Sequence, residues 1–162
     1  MKYDKARSNI LDGDLIAVVD VPSLYARATR FFTRSPYSHV GVALWLDEGL
    51  WLVELNAGSN HAKPLSQIPE FDVYNCPVNR AAVRKAALES LRINVPYSWL
   101  TVVVSGALDF FHLPKPRNWD HGLVCSSYCI ELYEAAGWPS ESETLSPGDL
   151  CDLLTRALNV RQ

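Results

Sequence analysis

Short apolar runs that end at turn residues dominate the first half of the chain and predict β-strands. The runs are rich in β-branched and aromatic residues and are bounded by Gly, Pro, Asn, Asp or Ser. Four strands are predicted in this way, over Ile10–Val19, His39–Trp45, Leu50–Asn56 and Phe71–Cys76. The turn signal Asp47-Glu48-Gly49 joins the second and third strands into a β-hairpin, and the fourth strand is expected in the same sheet.

Apolar positions at helical spacing predict helices between and after these strands. In the first helix, which starts at Pro22-Ser23-Leu24, the apolar residues that share one face are Leu24, Tyr25, Ala28, Phe31 and Phe32. Four more helices are predicted, over Asn79–Arg92, Trp99–Phe111, Ser126–Ala136 and Leu150–Leu158. Gly137 closes the fourth helix, and Ser146-Pro147-Gly148-Asp149 caps the last one.

The order of these elements predicts one α+β domain with a small antiparallel sheet packed against helices. The 162 residues fit the usual size of a single domain, and no repeat, linker or low-complexity tract divides residues 1–162. Hydrophobic residues make up 48% of the chain and charged residues 20%, which suffices for an ordinary globular core.

Charge and hydropathy argue against two classes of partner. The net charge is −3 at pH 7, so the chain lacks the basic surplus typical of nucleic-acid binding. The most apolar window, Trp99–Leu113, is interrupted by polar residues and glycine, which predicts no membrane-spanning segment. The basic N-terminus, Met1–Arg7, is not followed by the apolar segment of a secretory signal, so a cytoplasmic location is expected.

Four cysteines are present, and an even number could form two disulfides; they are Cys76, Cys125, Cys129 and Cys151. Because no signal peptide is predicted, free thiols in a reducing compartment are expected instead. Cys125 and Cys129 lie four residues apart, but no Cys or His pair completes a tetrahedral zinc site. We therefore expect neither a structural metal nor a cofactor.

Cys125 lies at the predicted start of a helix and is the candidate nucleophile. The free N–H groups and the positive end of the helix dipole favour the thiolate there, which lowers the thiol pKa. The same N–H groups could stabilise an oxyanion during acyl transfer. Taken alone, Cys125 would be interpreted as a small buried hydrophobe, which is the commonest role of a free cysteine. A serine nucleophile at Ser126 or Ser127 would lack the glycine pattern of a nucleophile elbow.

A cysteine nucleophile needs a base, and the sequence offers four histidines. His39 begins a strand two residues before a glycine that leaves room for close approach, and it is the preferred base. His61 follows a Gly-Ser-Asn loop and is expected to be exposed, and a structural role suffices for His112 at the end of an apolar helix. His121, four residues before Cys125, is a competitor for the same role.

The base in turn needs a group that fixes its tautomer. The strand that faces His39 supplies Glu54 and Asn56. With an even hairpin loop such as Asp47-Glu48, Asn56 lies opposite His39 and Glu54 lies diagonally across on the same face. An odd loop would place both on the other face. A Glu inside an apolar strand is unusual, which favours a role in the site, although a solvent-facing position is the alternative.

Together these segments resemble the circularly permuted NlpC/P60 hydrolases of the papain-like superfamily, in the YiiX/YebB-like branch. The matching motifs follow in the family's order: Gly13–Ile16, Ser38–Val42, Val53–Leu55, Pro96–Trp99, Val124–Ser127 and Ser146–Leu150. The resemblance covers most of the chain, and the joint order of the motifs is more specific than any one of them. The apolar segment Thr101–Arg117 matches nothing in this pattern.

The resemblance implies a permuted papain-like fold, in which a helix carrying the nucleophile packs against a sheet carrying the base. It implies a thiol hydrolase (a cysteine peptidase or amidase) in which Cys125 is the nucleophile, His39 the base and Glu54 the third polar residue. The implied substrates are amide bonds in peptides or peptidoglycan, and acyl groups of lipids are the alternative. A cell-wall substrate would require delivery to the envelope, which a phage-encoded enzyme would provide.

Two alternatives stay open at this point. The aromatic residues could line an apolar cleft or simply pack in the core; they are Trp45, Trp51, Trp99 and Phe110-Phe111. The domain could also be a non-catalytic binding or structural module of a larger assembly such as a phage particle. The presence of all three polar positions argues for an enzyme.

Overall fold

A computed structural model of the chain describes residues 1–19, 24–47, 49–98, 100–101, 104, 107–108, 123–139 and 146–159. The predicted helix Trp99–Phe111 and the segment Thr101–Arg117 therefore lie mostly outside the described residues.

A five-stranded antiparallel sheet, in the order β4-β3-β2-β1-β5, forms the centre of the fold. Its strands are β1 (Leu15–Val18), β2 (His39–Leu46), β3 (Gly49–Leu55), β4 (Asn60–Pro64) and β5 (Phe71–Tyr74). Four of them match the predicted strands and confirm the antiparallel sheet of the α+β class. The first predicted strand is too long, because the chain turns at Gly13, where φ is +84°, before β1 begins.

One of the five strands, β4, was not predicted. It contains one ordinary apolar residue, Ala62, so it lacks the alternation by which a half-buried strand is found in a sequence. Its position at the edge of the sheet explains this composition. An edge strand pairs on one side only and commonly carries lysine, and in β4 this lysine is Lys63.

The helices that the structure describes are α1 (Tyr3–Ala6), α2 (Leu24–Thr33), α3 (Arg80–Ser90), α4 (Cys125–Ala135) and α5 (Pro147–Asn159). The last four match predicted helices, and side chains cap the starts of α3 and α5. Asn79 Oδ1 accepts from the N–H of Ala82 at 3.1 Å, and Ser146 Oγ accepts from the N–H of Asp149 at 3.2 Å. Among the described helices, none is both long enough and apolar enough to cross a bilayer.

The predicted buried face of α2 is wrong at Phe31. This side chain is 69% exposed, whereas Ala26 is buried. Helical spacing identifies residues that share a stripe, but it does not determine which stripe faces the core. Here the small Ala26 side chain lies on the packed side.

The sheet has an apolar layer on each face. Helices α3, α4 and α5 cover one face, whose buried strand residues include Leu15, Ala17, Val40, Val42, Val53 and Leu55. Helix α1 and two short 3-10 helices, Arg7–Asn9 and Leu65–Gln67, cover the other face, with Ile16, Val18, Ala43, Leu52 and Phe71. Each side chain on β2 and β3 is therefore assigned to one face by its parity.

The Gly13-Asp14 turn joins the sheet to two helices. The buried carboxylate of Asp14 accepts from the N–H groups of Leu11 at 2.9 Å and Cys76 at 3.0 Å, and from Arg80 Nη1 at 2.6 Å. The hydroxyl of Tyr133 on α4 donates to the carbonyl of Gly13 at 3.0 Å. Part of the motif Gly13–Ile16 therefore fixes how α3 and α4 sit on the sheet.

Gly41 allows β2 and β3 to pair closely. A Cβ atom at this position would lie 2.6 Å from Leu52 Cδ1 and 2.7 Å from the carbonyl oxygen of Val53. The second contact is to backbone, which cannot move without disturbing the sheet, so a side chain at Gly41 would be overpacked.

We expect Gly41→Ala to lower the free energy of unfolding by about 1–3 kcal/mol, because the added methyl group overpacks the β2–β3 pair. Chemical denaturation followed by circular dichroism measures this. Gly58→Ala is the matched control, since a Cβ atom there meets nothing within 4 Å. Equal stability of the two variants would contradict the steric argument.

Candidate active site

Cys125 is the first residue of α4, as the sequence predicted. The helix start is fixed by local hydrogen bonds, in which Ser127 Oγ accepts from the N–H of Val124 at 2.9 Å. Farther along the helix, the hydroxyl of Tyr128 lies 2.6 Å from Ser90 Oγ on α3. These contacts, with that of Tyr133 to Gly13, fix the rotation of α4 and so the direction of the Cys125 side chain.

His39 is the first residue of β2 and follows a turn that is tied to neighbouring elements. The N–H of Tyr37 donates to Ser35 Oγ at 3.0 Å. The hydroxyl of Tyr37 lies 2.9 Å from Asp72 Oδ2 and 2.7 Å from the hydroxyl of Tyr74. Burial and these two neighbours raise the pKa of Tyr37, so its hydroxyl keeps its proton. The turn before His39 is therefore tied to β5, while the backbone of His39 itself pairs with Val18 on β1.

The hairpin has the even loop on which the predicted geometry depends. Leu46 pairs with Gly49, which leaves residues 47 and 48 in the loop, and Asp47 adopts a positive φ of 52°. With this register His39 and Glu54 lie on the same face, and His39 Nε2 is 2.9 Å from Glu54 Oε2. Of the two predicted orienting groups, Glu54 is the one that contacts the ring.

Asn56 contacts Glu54 instead of His39. Its Nδ2 donates to Glu54 Oε1 at 3.3 Å, and the same nitrogen lies 3.4 Å from His61 Nε2. Asn56 therefore binds the carboxylate oxygen of Glu54 that does not contact His39.

Strand β4 brings to Glu54 two further polar side chains that were not predicted to belong to the site. Lys63 Nζ lies 2.7 Å from Glu54 Oε1, and His61 Nε2 lies 3.1 Å from the same oxygen. The register pairs Glu54 with His61 directly. His61 was expected to be exposed after a Gly-Ser-Asn loop; its side chain is 39% exposed, and it lies in β4, where it contacts Glu54.

Glu54 is an ionised carboxylate that is fully buried. Burial raises the pKa of Glu54, but the hydrogen bond and charge of His39, followed by those of Lys63, outweigh it and lower this pKa to about 2. One oxygen thus faces the imidazole and the other faces the lysine. A buried charge with partners on both oxygens is a fixed electrostatic element.

Cys125 and His39 meet at the N-terminal end of β2. The parity of β2 places His39 on the sheet face opposite α4, yet the Cys125 side chain hydrogen-bonds with the ring. The contact is possible because β2 begins at His39, so no strand residue precedes it on that side. Since Glu54 engages Nε2, the ring nitrogen left for the sulfur is Nδ1.

The pKa values of this pair shift in the directions that favour an ion pair. Burial raises the pKa of the Cys125 thiol, but the imidazolium of His39 and backbone hydrogen bonds from Val40 and Ser126 outweigh it, so the pKa falls below its usual value. Burial lowers the pKa of His39, but the charge and hydrogen bond of Cys125, followed by those of Glu54, raise it overall. Both shifts favour a thiolate beside an imidazolium.

The other three cysteines are free thiols in apolar surroundings. Burial raises the pKa of the thiols of Cys76, Cys129 and Cys151. Cys129 lies one helical turn after Cys125 and is fully buried in the core, as predicted. Among the four, only Cys125 has a lowered pKa.

Several predicted candidates lie elsewhere or outside the described residues. His112 and His121 are outside them, as are Trp99 and Phe110-Phe111. Trp45 packs on the sheet face covered by α1, where its indole N–H donates to the carbonyl of Ile10 at 2.9 Å. Trp45 therefore packs against the core and does not line a cleft.

The arrangement can generate a nucleophile and move a proton. A thiolate at the first turn of α4 lies near N–H groups that have no partner within the helix, and an imidazolium held by a carboxylate can donate a proton. In the described part of the chain no group of three His, Cys, Asp or Glu side chains is arranged to hold a metal ion.

The sequence matches none of the protein-family models and none of the curated proteins with which it was compared. Membership in the permuted NlpC/P60 family is therefore a proposal that rests on the order of the motifs and on the site itself.

We expect iodoacetamide to alkylate Cys125 at least about tenfold faster than Cys76 at about pH 6.5, because only the thiolate reacts. Cys76 is an internal control, since its exposed fraction is 9% against 6% for Cys125. The rate at Cys125 should fall only as the pH drops through its lowered pKa, below the usual value of about 8.5. Peptide mapping by mass spectrometry measures both sites.

In His39→Ala the same labelling curve should move to higher pH, because the cation that favours the thiolate is gone. Equal rates at Cys125 and Cys76 in the parent protein would contradict the proposed ion pair.

Proposed function

We propose that the chain is a cysteine hydrolase of the permuted papain-like (NlpC/P60) type that cleaves amide bonds by acyl transfer. The observation that carries the proposal is the continuous set of contacts from Cys125 through His39 to Glu54. The three side chains come from α4, β2 and β3, and chance packing rarely aligns a thiol, an imidazole and a carboxylate in this order.

In the acylation step, the Cys125 thiolate attacks the carbonyl carbon of the substrate. A C–S bond forms and the carbonyl π pair moves to oxygen, which the N–H groups at the start of α4 can stabilise. The oxyanion then returns its electron pair, the C–N bond breaks, and His39 donates its proton to the departing nitrogen. A thioester, a free amine and a neutral imidazole result.

In the second step, water attacks the thioester carbonyl and gives a proton to neutral His39. The C–S bond breaks and returns its electron pair to sulfur, which restores the thiolate–imidazolium pair and releases a carboxylic acid. Glu54 remains ionised throughout, holds the ring by Nε2 and stabilises the positive charge that returns to it.

The experiment that tests this function is incubation of the purified protein with peptidoglycan, with a set of short peptide amides and with a lipid panel. Mass spectrometry identifies the released fragments. Cleavage of an amide with release of a free amine supports the proposal, and the chemical class of the cleaved compound identifies the substrate.

Two other outcomes would replace the proposal. Release of fatty acid or transfer of an acyl chain from the lipid panel alone would assign the same site to lipid acyl groups. Absence of any product, together with slow labelling of Cys125, would favour a non-catalytic module.

A further inference from the structure

A cavity of about 230 Å³ lies beside the imidazole of His39, on the sheet face opposite α4. Four segments contribute to its apolar wall: the end of β1, helix α2, the segment after a 3-10 helix and the segment after α3. The residues are Val18, Ala26, Ile68 and Tyr97. Tyr97 pairs with Leu123, two residues before Cys125. The base therefore lines the cavity directly, and Tyr97 links one of its walls to the residue that precedes the nucleophile by two positions.

Ser38 is one of the residues that line this cavity. The residue is 5% exposed and its backbone N–H donates to the carbonyl of Val18 at 3.1 Å, which fixes its position. Its Oγ is buried and has no hydrogen-bond partner among the described residues. A buried hydroxyl without a partner costs free energy, so such a group in a cavity beside a reactive pair points to a ligand that completes it.

The charged groups of the cavity are already paired with one another. Glu54 lies between His39 and Lys63, at 2.9 and 2.7 Å. A charged substrate group entering the described cavity would thus meet no free counter-ion and would lose its hydration without compensation. The cavity favours a neutral occupant.

The volume sets the size of this occupant. One water molecule takes about 30 Å³ of the liquid, so the cavity holds about eight water molecules. This is enough room for one aliphatic residue as large as leucine with its peptide group. The apolar wall suits the aliphatic side chain, and the hydroxyl of Ser38 can both donate to a carbonyl and accept from an N–H.

We propose that this cavity is a specificity pocket for one small, neutral aliphatic residue next to the scissile amide, with Ser38 Oγ bound to the peptide group of that residue. The inference rests on the proposed function, since it assumes a peptide substrate. Ser38 is a specificity residue in this assignment, and it has no role in bond cleavage.

The test uses short peptide amides that share one scissile bond and differ only in the neighbouring residue, which is Ala, Val, Leu, Glu or Lys on either side of the bond. Wild-type kcat/KM should be highest for a neutral residue at one of the two positions and at least about tenfold lower there for Glu and Lys. Ser38→Ala should lower kcat/KM for the neutral peptides about tenfold, since one hydrogen bond is lost. Its Tm should be unchanged or higher, because an unpartnered buried hydroxyl is removed.

Two variants serve as comparisons. Ala26→Leu should shorten the pocket and shift the preference from Leu to Ala, whereas Ser66→Ala, at an exposed serine, should change nothing. Equal kcat/KM for charged and neutral residues, or an unchanged kcat/KM in Ser38→Ala, would overturn the pocket while leaving the hydrolase in place.

Binding to Cys125→Ala, measured by calorimetry with the same peptides, separates the two proposals. If the wild-type protein cleaves no peptide but Cys125→Ala binds the neutral ones with a dependence on Ser38, the hydrolase fails and the pocket stands. If neither cleavage nor Ser38-dependent binding occurs, the pocket is overturned as well.

Discussion

Cys125→Ala should reduce turnover of the substrate found in the panel by at least about 10³-fold, because no other group can form the thioester. The folded structure should survive, since the change removes one sulfur atom from a residue that is 6% exposed and costs at most about 1–2 kcal/mol of stability. Initial rates by mass spectrometry, with circular dichroism of the same sample, measure the two effects separately.

Cys76→Ala is the matched control, because it makes the same chemical change at a thiol whose pKa is raised by burial. It should keep kcat within about twofold of the parent. Full activity in Cys125→Ala would end the assignment of the nucleophile, and loss in both variants would indicate that the rate reports stability instead of chemistry.

Glu54→Gln is expected to have the second largest effect. The neutral amide retains the shape of the side chain but no longer stabilises the imidazolium, so kcat should fall about 10²–10⁴-fold. The KM should change little, because Glu54 acts through His39. The exposed pair Lys85–Glu89, at 3.9 Å, provides the control variant Glu89→Gln, which should leave kcat unchanged.

The same variant should also be less stable, by about 1–3 kcal/mol at pH 7, because Lys63 and His39 lose a charged partner. The pKa of Glu54 is lowered in the folded protein to about 2, so its stabilising effect is present above the unfolded pKa. It is lost as the pH falls through the folded value. The stability difference between wild type and Glu54→Gln should therefore shrink from about pH 4 downwards, and a constant difference would contradict the ionised state of Glu54.

The predicted parts of the site share a simple physical basis. A two-residue loop fixes the register of β2 and β3, and the two-residue period of a strand then places His39 and Glu54 on one face. The start of α4 was predicted at Cys125, directly before the helix predicted over Ser126–Ala136. Local rules therefore suffice wherever neighbours along the chain determine the geometry.

The parts that could not be predicted depend on contacts between distant segments. His61 and Lys63 reach Glu54 only because β4 pairs with β3, and the sequence of β4 shows no apolar alternation. The sequence did contain one signal for this second hairpin. It is the four-residue loop of residues 56–59, which contains a glycine and lies between an apolar strand and a polar one. Likewise, the exposed Phe31 shows that contacts with distant segments determine which side of α2 is packed.

The separation of the reactive groups along the chain has a consequence for the newly made protein. During synthesis His39 and Glu54 leave the ribosome well before Cys125, so the thiol emerges into a chain that already contains its activating partners but has not yet docked α4. Until docking, the sulfur is an ordinary solvated thiol with no imidazolium beside it. In the proposed assignment, Cys125 therefore becomes reactive only when the tertiary structure forms.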